Sequence, residues 1–333
     1  MERRKAQRTK HWTVVGFAAL FALGAALVGG ESFGASYPDH TITLVVPFKP
    51  GGGVDTQGRI LANYIKKYLP KEAEVIVENQ PTAGGKVGLL KAFDAKPDGY
   101  TMGITATNSI GLLLVRDELG KRNPKELTYF CRTGYAPYMV VFSARSRFKS
   151  IKDLKGQQVK IGGTSSTVFQ AALLAKELSF TPVFITYDGF PETAVATMRG
   201  DVDLFFFNWD SASKHITASE GKLQPVFVAS ERRVPELSNV PTAKEIGINI
   251  SQNVMEVMAS GNTLFAPPNL PADVRAVLEK AVSSALNDPE LESKMRQANY
   301  TTKPVLSPKD TKDVALGVYE TYMAHKALIE SIK

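Results

Sequence analysis

Three glycine-rich turns are the part of this sequence that could do chemistry. They occupy residues 47–55, 79–85 and 162–167, and each follows an apolar stretch and precedes a helical pattern. A turn in this position exposes backbone N–H groups at the positive end of a helix dipole, which favours an anion, and glycine lets a ligand approach the backbone closely. Any one turn is explained as well by helix capping, with Asp55, Ser166 or Thr167 as the cap. Three together predict an anion-binding cleft.

The side chains that would catalyse a reaction are not assembled in the sequence. The histidines after the N-terminal segment, at 40, 215 and 325, are too far apart for metal-ligand spacing. The one cysteine, Cys131, excludes an internal disulfide and any site with several thiolates. Residues 84–87 lack the upstream glycine and the Ser/Thr after lysine that a phosphate-binding loop needs. We therefore expect a binding protein that is not an enzyme and requires no cofactor or metal.

Alternating strand and helix patterns place the three turns at the ends of predicted strands. Apolar runs predict buried strands, and apolar residues at helical spacing predict amphipathic helices. The alternation indicates an α/β protein with mostly parallel sheets, which binds ligands at the carboxyl ends of its strands. The predicted strands are 41–48, 74–78, 100–105, 138–143, 158–162, 182–187, 202–208 and 223–230, and the predicted helices include 56–69, 86–93, 167–178 and a long one through Val274 and Leu286.

The composition is that of a globular protein. The 333 residues are 44% hydrophobic and 22% charged, with 26 Gly and 19 Pro, which argues against disordered, collagen-like and polytopic membrane proteins. The formal charge is +7, but no dense basic stripe follows residue 10, so a nucleic-acid partner is not expected. The length predicts two domains.

The first 36 residues have the pattern of a secretory signal peptide. A basic segment to Lys10 precedes an apolar run from Trp12 to Val28, and small residues follow at 34–36. The run is marginal in length for spanning a bilayer, so cleavage is favoured over the alternative of a retained anchor. The mature protein is expected to be exported and soluble.

The turns and several shorter motifs resemble those of the substrate-binding proteins of tripartite tricarboxylate transporters. This family is also called the Bug family of extracytoplasmic solute receptors. The resemblance covers essentially the whole mature chain, with the motifs in the family order. These motifs are Val46-Pro47-Phe48 with Gly51-Gly52 and Asp55, Asn79 with Pro81 and Ala83-Gly84-Gly85, Pro97 to Thr101, Tyr187 with Gly189 and Pro191, Gly200 with Val202-Asp203, Val240 to Gly247, and Phe265-Ala266-Pro267.

This resemblance implies the type II fold of periplasmic binding proteins, in which two α/β lobes close on a ligand in the cleft between them. It places the first lobe at residues 37–140 plus 261–333 and the second at 141–260. The implied protein is a periplasmic monomer that captures a small carboxylate, either a di- or tricarboxylate or an aromatic carboxylate. It would deliver this ligand to the membrane permease subunits of the transporter.

Two other functions stay open at this stage. A receptor of this fold could instead signal to a sensor kinase, and neighbouring genes for permeases or for a sensor would separate the two roles. An exported enzyme acting on a small acid is the third hypothesis, suggested by Asp55, Tyr187 and Asp188 in the same cleft. Turnover of a bound carboxylate would identify it.

Carried over residue by residue, the resemblance implies a ligand site built from backbone groups, hydroxyls and ordered waters of both lobes. The first lobe would contribute Phe48, Lys49, Gly51, Asp55, Ala83, Gly84, Gly85 and Lys86, with Thr105 nearby. The second lobe would contribute Thr164, Ser165, Ser166, Thr167, Tyr187, Asn208 and Trp209.

Several of these residues depart from the family pattern. Lys49 and Lys86 stand where small or amide residues are usual, and Phe207 and Trp209 flank Asn208. Two interpretations are open: the lysines pair with the ligand and the aromatic residues form a wall, or the lysines face solvent and the phenylalanines belong to a buried strand. The second is favoured for Phe205 and Phe206. The first predicts a carboxylate ligand with an apolar or aromatic body.

Overall fold

The computed structural model describes residues 37–164, 167–231, 233–234, 237–298, 300 and 305–331. Of residue 260 it describes the backbone alone. The predicted signal peptide and the candidate site residues Ser165 and Ser166 lie outside the described residues. Among the helices of these ranges, none is long and apolar enough to cross a bilayer.

Strands and helices alternate along the described chain, as the apolar patterns predict. The strands are β1 (Ile42–Val46), β2 (Val75–Asn79), β3 (Thr101–Ala106), β4 (Thr128–Ser143), β5 (Gln158–Gly163), β6 (Thr181–Thr186), β7 (Leu204–Asn208), β8 (Leu223–Val228) and β9 (Ala259–Ala266). The helices are α1 (Gly53–Tyr68), α2 (Lys86–Phe93), α3 (Thr107–Val115), α4 (Val168–Glu177), α5 (Phe190–Arg199), α6 (Trp209–Ala218), α7 (Gln252–Val257), α8 (Ala272–Leu286), α9 (Pro289–Gln297), α10 (Pro308–Ala324) and α11 (Lys326–Ser331).

The strands form two groups, β1 to β3 and β5 to β7, and within each group the paired strands are parallel. The antiparallel strands β4 and β9 join the two groups. The order is β2-β1-β3-β9-β4-β7-β5-β6, and β8 also pairs with β4. β1 is parallel to β2 and β3, and β5 is parallel to β6 and β7. β9 runs antiparallel to β3 and β4, and β4 runs antiparallel to β7 and β8. The expectation of mostly parallel sheets is therefore correct inside each group and wrong at the connection between them.

β4 and β9 carry the chain between the two groups. The first part of β4 pairs with β9, and its second part pairs with β7 and β8. The register with β9 shifts between Thr133 and Ala136, and Gly134 inside this shift has φ of 77°. Glycine suits this bulge because the left-handed region is strained for residues with a Cβ. The bulge bends β4 where it passes from one group to the other.

Burial of apolar side chains explains the packing on each side of the strands. Phe205 and Phe206 are at most 1% exposed, which confirms that they belong to a buried strand. Alternation along β7 sends Phe205 and Phe207 into one cluster, with Phe190, and Phe206 into another. The ring of Phe207 lies 4.5 Å from that of Phe190. This strand thus holds α5 against the sheet and fixes the position of Asn208 at its end.

Candidate functional site

A cavity of about 200 Å³ opens between the two strand groups. Its walls come from three parts of the fold: the first turns of α1 and α6, and the crossing strands β4 and β9. The end of β3 and one residue after α9 complete it. The described lining residues are Gly53, Val54, Gln57, Ala106, Thr133, Gly134, Ala136, Asn208, Asp210, Ser211, Gly261, Asn262 and Tyr300.

The first turn of α1 offers backbone donors to this cavity. Its N-cap is Gly52, which has no side chain to accept from the first N–H groups of the helix. Such groups attract an anion because they are unpaired within the helix and lie at the positive end of its dipole. Tyr300 lies close by, since a Cβ at Gly53 would be 3.4 Å from its hydroxyl. Burial raises the pKa of Tyr300, and the Asp210 charge adds to this increase, while a hydrogen bond with Thr56 opposes it.

Thr133 lines the floor of the cavity and carries a buried hydroxyl. The residue is 1% exposed, and its Oγ1 has no hydrogen-bond partner among the described residues. Buried polar atoms nearly always have a partner, which can be protein, water or ligand. Thr105, one residue before the lining residue Ala106, has a buried Oγ1 in the same condition. Two buried hydroxyls, one on a lining residue and one next to a lining residue, therefore have hydrogen-bonding capacity that the described chain does not satisfy.

Asp55 organises the turn that precedes α1. Its carboxylate accepts hydrogen bonds from the Gly51 N–H at 2.8 Å, from Asn79 Nδ2 at 2.8 Å and from Arg59 Nε at 3.1 Å. Asn79 Nδ2 also donates to the Phe48 carbonyl at 3.0 Å. Asp55 is 2% exposed. The structure gives this carboxylate the role of tying the first turn to the end of β2, and its direct contact with a ligand stays a prediction.

These bonds make the stability of the fold depend on the charge of Asp55. Burial alone would raise the pKa of Asp55, but the bonds from Arg59, Gly51 and Asn79 outweigh burial and hold it below its ordinary value of 3.8. Because the folded-state pKa is the lower one, the stabilisation is fully present above the unfolded-state pKa, near 4, and is lost as the pH falls from there through the lower folded-state pKa.

We expect Asp55→Asn to lower the free energy of unfolding by about 1–2 kcal/mol at pH 7, because charge-assisted bonds become neutral ones. The half-exposed Arg59 adds little to this figure. Urea titrations at pH 7 and at lower pH will measure the loss, which should shrink below about pH 4. Asp94→Asn, in the exposed pair with Arg122, is the control and should cost less than about 1 kcal/mol. A loss for Asp55→Asn that is equal at all pH values would contradict this assignment.

The second turn packs directly on the first. Gly85 has φ of 91°, and a Cβ at this residue would lie 2.4 Å from the Pro47 carbonyl oxygen. Only glycine satisfies both the left-handed backbone and this close approach. Lys86, the next residue, forms an ion pair with Glu118 at 3.2 Å. Its ammonium is therefore engaged outside the described cavity lining.

Other predicted residues of the first lobe lie at the surface of these turns. Lys49, Gly51, Ala83 and Gly84 are exposed, and Phe48 is half-buried. None of the four exposed residues contributes to the described lining of the cavity. Their contact with a ligand stays a prediction.

In the second lobe, the described part of the third turn is closed by a hydroxyl. Thr167 is buried; its Oγ1 accepts from the Thr164 N–H and donates to the Thr164 carbonyl, both at 3.0 Å. Tyr187 is half-buried at the end of β6. Burial raises the pKa of Tyr187, and the Asp201 charge adds to the increase. Neither Thr167 nor Tyr187 is among the described lining residues.

Asn208 is the predicted site residue that the structure places in the cavity wall. Its Oδ1 accepts from the Ser211 N–H at 2.9 Å and so caps α6. Trp209 instead packs, partly buried, against the cluster that contains Phe205 and Phe207. This packing favours a structural role for Trp209, and its proposed contact with a ligand stays untested.

Most of the cavity wall was not among the predicted residues. Gly53 and Val54 lie in the predicted first turn and Gln57 in the helix predicted after it, so the glycine run and the helical pattern could have identified them. Asp210 and Ser211 follow Asn208 in the same way. Thr133, Gly261, Asn262 and Tyr300 come from distant parts of the chain, and no local pattern marks them.

Comparisons of this chain with a family profile, with related sequences and with solved structures agree on one family. A family profile described as "Tripartite tricarboxylate transporter family receptor" matches residues 58–333. Among relatives, the "UPF0065 protein in the TAR-I ttuE-ttuC' intergenic region" of Agrobacterium vitis is 26% identical over 280 residues, which are 81% of this chain and 78% of the relative.

Two solved structures have a similar fold. A TctC solute binding protein from Polaromonas, without ligand, has a TM-score of 0.74 at 22% identity, covering 89% of this chain and 100% of that chain. MatC from Rhodopseudomonas palustris, with bound malate, has a TM-score of 0.65 at 22% identity, covering 88% of this chain and 99% of that chain. The predicted fold, two α/β lobes with a ligand cleft, is confirmed by these likenesses. The chain belongs to the tripartite tricarboxylate transporter receptor family, whose fold is that of solute-binding receptors.

Proposed function

We propose that this chain is a periplasmic receptor that captures a small carboxylate and delivers it to the permease subunits of a tripartite tricarboxylate transporter. One observation carries the proposal: the cavity that brings the uncapped first turn of α1, the crossing strands and the first turn of α6 to one small volume. The malate bound to MatC is a carboxylate of the expected kind.

The binding mechanism follows from which part of the fold supplies each wall. The α1 donors belong to the proposed first lobe, residues 37–140 plus 261–333, and Asn208 and Ser211 belong to the proposed second lobe, residues 141–260. A ligand that contacts both walls gains its full set of contacts only when the lobes are closed. It therefore shifts the population toward the closed state, which is the state that a permease could recognise.

The ligand carboxylate would lie at the first turn of α1, within reach of Thr133. There it would accept from backbone N–H groups, directly or through water, because bridging water is nearly as good a partner as a direct bond. The Thr133 hydroxyl would supply one further donor. No basic side chain lies among the described lining residues, so helix and hydroxyl donors would supply the attraction.

Thermal-shift assays and isothermal titration calorimetry on protein purified from a periplasmic extract will test this function. We expect at least one di- or tricarboxylate to raise the melting temperature, since a ligand at a hundred times its dissociation constant stabilises a protein by about 2.7 kcal/mol. Thr133→Val, which keeps the shape and removes the hydroxyl, should weaken binding several-fold.

Thr128→Val is the matched control on the same strand. The Thr128 hydroxyl donates to the Pro267 carbonyl at 3.1 Å, outside the described cavity lining, so this variant should lose stability and keep its affinity. A carboxylate released by denaturing the purified protein, identified by mass spectrometry, would also support the proposal. Failure of all carboxylates to bind, with no acid released, would contradict it.

A further inference from the structure

Helix α10 packs on the face of the crossing strands that is turned away from the cavity. Asn262 of β9 lines the cavity, and Phe265, an odd number of residues further along the same strand, therefore points to the opposite face. Tyr129 of β4 pairs with Phe265 and so shares its face. The hydroxyl oxygen of Tyr129 lies 3.5 Å from that of Tyr319 in α10, which places α10 on this far face.

Tyr322, one turn after Tyr319 in α10, contacts the other proposed lobe. The centroid of its ring is 4.5 Å from that of Phe169 in α4, and its hydroxyl accepts a hydrogen bond from Gln170 Nε2 at 3.4 Å. All three side chains are buried. Because α10 belongs to the proposed first lobe and α4 to the proposed second, these residues join the lobes directly, without passing through the crossing strands.

The C-terminal helix α11 extends the same contact. It packs against α4, and its buried Ile329 belongs to the hydrophobic cluster that contains Phe169 and Tyr322. Lys326 at the start of α11 forms an ion pair with Asp117 of the first lobe at 2.7 Å. This helix therefore reaches from the first lobe onto α4 of the second.

We propose that this rear contact, formed by Tyr322 and α11 with Phe169 and Gln170 of α4, holds the lobes in an open arrangement and so limits the affinity for the ligand. The inference rests on ligand-induced closure in the proposed function, and it adds residues that set the closing equilibrium without touching the ligand. The crossing strands lie between the cavity and the rear contact and act as the hinge. A rotation that brings the cavity walls together therefore draws α4 away from α10.

The rear contact is formed in a structure whose cavity is open to solvent. Gly53 in the cavity wall is exposed, and so are Lys49 and Gly84 in the first two turns. Buried rings lose dispersion contacts when they separate, and a buried amide that loses its partner is costly, so the rear contact favours this open arrangement. Closure must overcome that preference, and the apparent affinity falls in proportion to the fraction of molecules that can close.

Tyr322→Leu and Phe169→Leu each reduce one side of the rear contact. Isothermal titration calorimetry with malate, succinate, adipate and citrate identifies the acid that the wild type binds most tightly, and that acid is the probe. Both variants should bind it about threefold to tenfold more tightly than the wild type, because a larger fraction of the molecules is closed. Both should also lose stability to unfolding, as buried side chains that are shortened do.

Tyr319→Leu is the matched control. Tyr319 is in the same helix, one turn away and equally buried, but its hydroxyl lies against Tyr129 of the first lobe. This variant should lose stability and keep the wild-type affinity. A gain in affinity for Tyr319→Leu equal to that for Tyr322→Leu would overturn the inference, because loosened packing anywhere in α10 would then explain the effect.

Small-angle X-ray scattering of the ligand-free proteins tests the hinge without a ligand. Tyr322→Leu and Phe169→Leu should have a smaller radius of gyration than the wild type and Tyr319→Leu. The two substitutions lie on different helices, so failure of one variant to fold leaves the other to decide.

The outcomes separate this inference from the proposed function. An unchanged radius of gyration, or unchanged or weaker binding of the probe, in the folded rear-contact variants would overturn the inference and leave a carboxylate receptor. If none of the four acids binds to the wild type, the result counts against the proposed function, and the scattering of the ligand-free proteins alone decides on the rear contact.

Discussion

Glu256→Ala is expected to lower the free energy of unfolding by about 3–5 kcal/mol, because it leaves a buried guanidinium without its counter-charge. Arg132 of β4 is 2% exposed and its Nη1 lies 3.0 Å from Glu256 Oε2 at the end of α7. Burial lowers the pKa of Arg132, and the Glu256 charge opposes this change. Arginine nevertheless stays protonated in proteins, so removal of Glu256 leaves a buried charge.

Little else in the described structure compensates this charge. Arg132 Nε and Nη2 have no hydrogen-bond partner among the described residues, and the Tyr135 ring lies 5.9 Å away. The guanidinium lies against Gly261, where a Cβ would be 2.5 Å from Nε. Since Gly261 and Thr133 both line the cavity, the ion pair supports the strands that form its floor.

Urea titration of the wild type and Glu256→Ala will measure this effect. The matched control is Glu279→Ala in the surface pair with Arg275, which spans one turn of α8 and should cost less than about 0.5 kcal/mol. The double variant Arg132→Met with Glu256→Leu should recover much of the loss, because apolar residues of similar volume often replace a buried ion pair without cost. A loss of less than 1 kcal/mol for Glu256→Ala would contradict the account.

Local patterns predicted the strands and the turns of the cleft because these elements depend on residues that are close together in sequence. β1 is apolar and buried, and the glycines after it allow the chain to reverse into α1. The mostly apolar segments at β3 and β7 and the alternation of polar and apolar residues at the start of β5 are equally clear. Each turn was predicted between the correct strand and the correct helix.

Local patterns did not predict the first ten residues of β4 or any of β9, the two crossing strands. The first ten residues of β4 include Gly134 and Pro137, which have low preference for the middle of a strand, and the charged Arg132. They are extended because β9 pairs with them and a bulge accommodates Gly134. β9 itself contains Gly261 and Asn262, and its position between β3 and β4 overrides their low strand propensity.

Tertiary packing also decides which candidate residues reach the cavity, and among the described candidates Asn208 is the one in its lining. Lys86 and Trp209 are candidates for ligand contact from the sequence because each is a charged or aromatic residue at the end of a predicted strand or turn. Their partners, Glu118 and the Phe205 cluster, are set by tertiary packing. Thr133 and Asn262 face each other across two strands that are distant in sequence, so only the folded chain brings them together.

The second large effect is expected from a negative charge placed in the first turn of α1. Gly53 tolerates a side chain, since a Cβ there would make an ordinary 3.4 Å contact with Tyr300 and the residue is exposed toward the cleft. An aspartate at this position favours the helix through its dipole, so Gly53→Asp should keep its stability. Its carboxylate would occupy the proposed anion site and repel a ligand carboxylate by several kcal/mol.

Titration calorimetry of Gly53→Asp beside Gly53→Asn tests the central claim most directly, because the two side chains have the same shape and differ in charge. The probe is whichever carboxylate the wild type binds most tightly. We expect Gly53→Asn to bind it within about tenfold of the wild type and Gly53→Asp to bind it about a hundredfold more weakly or worse. Equal affinities for the two variants would contradict a carboxylate site at the first turn of α1.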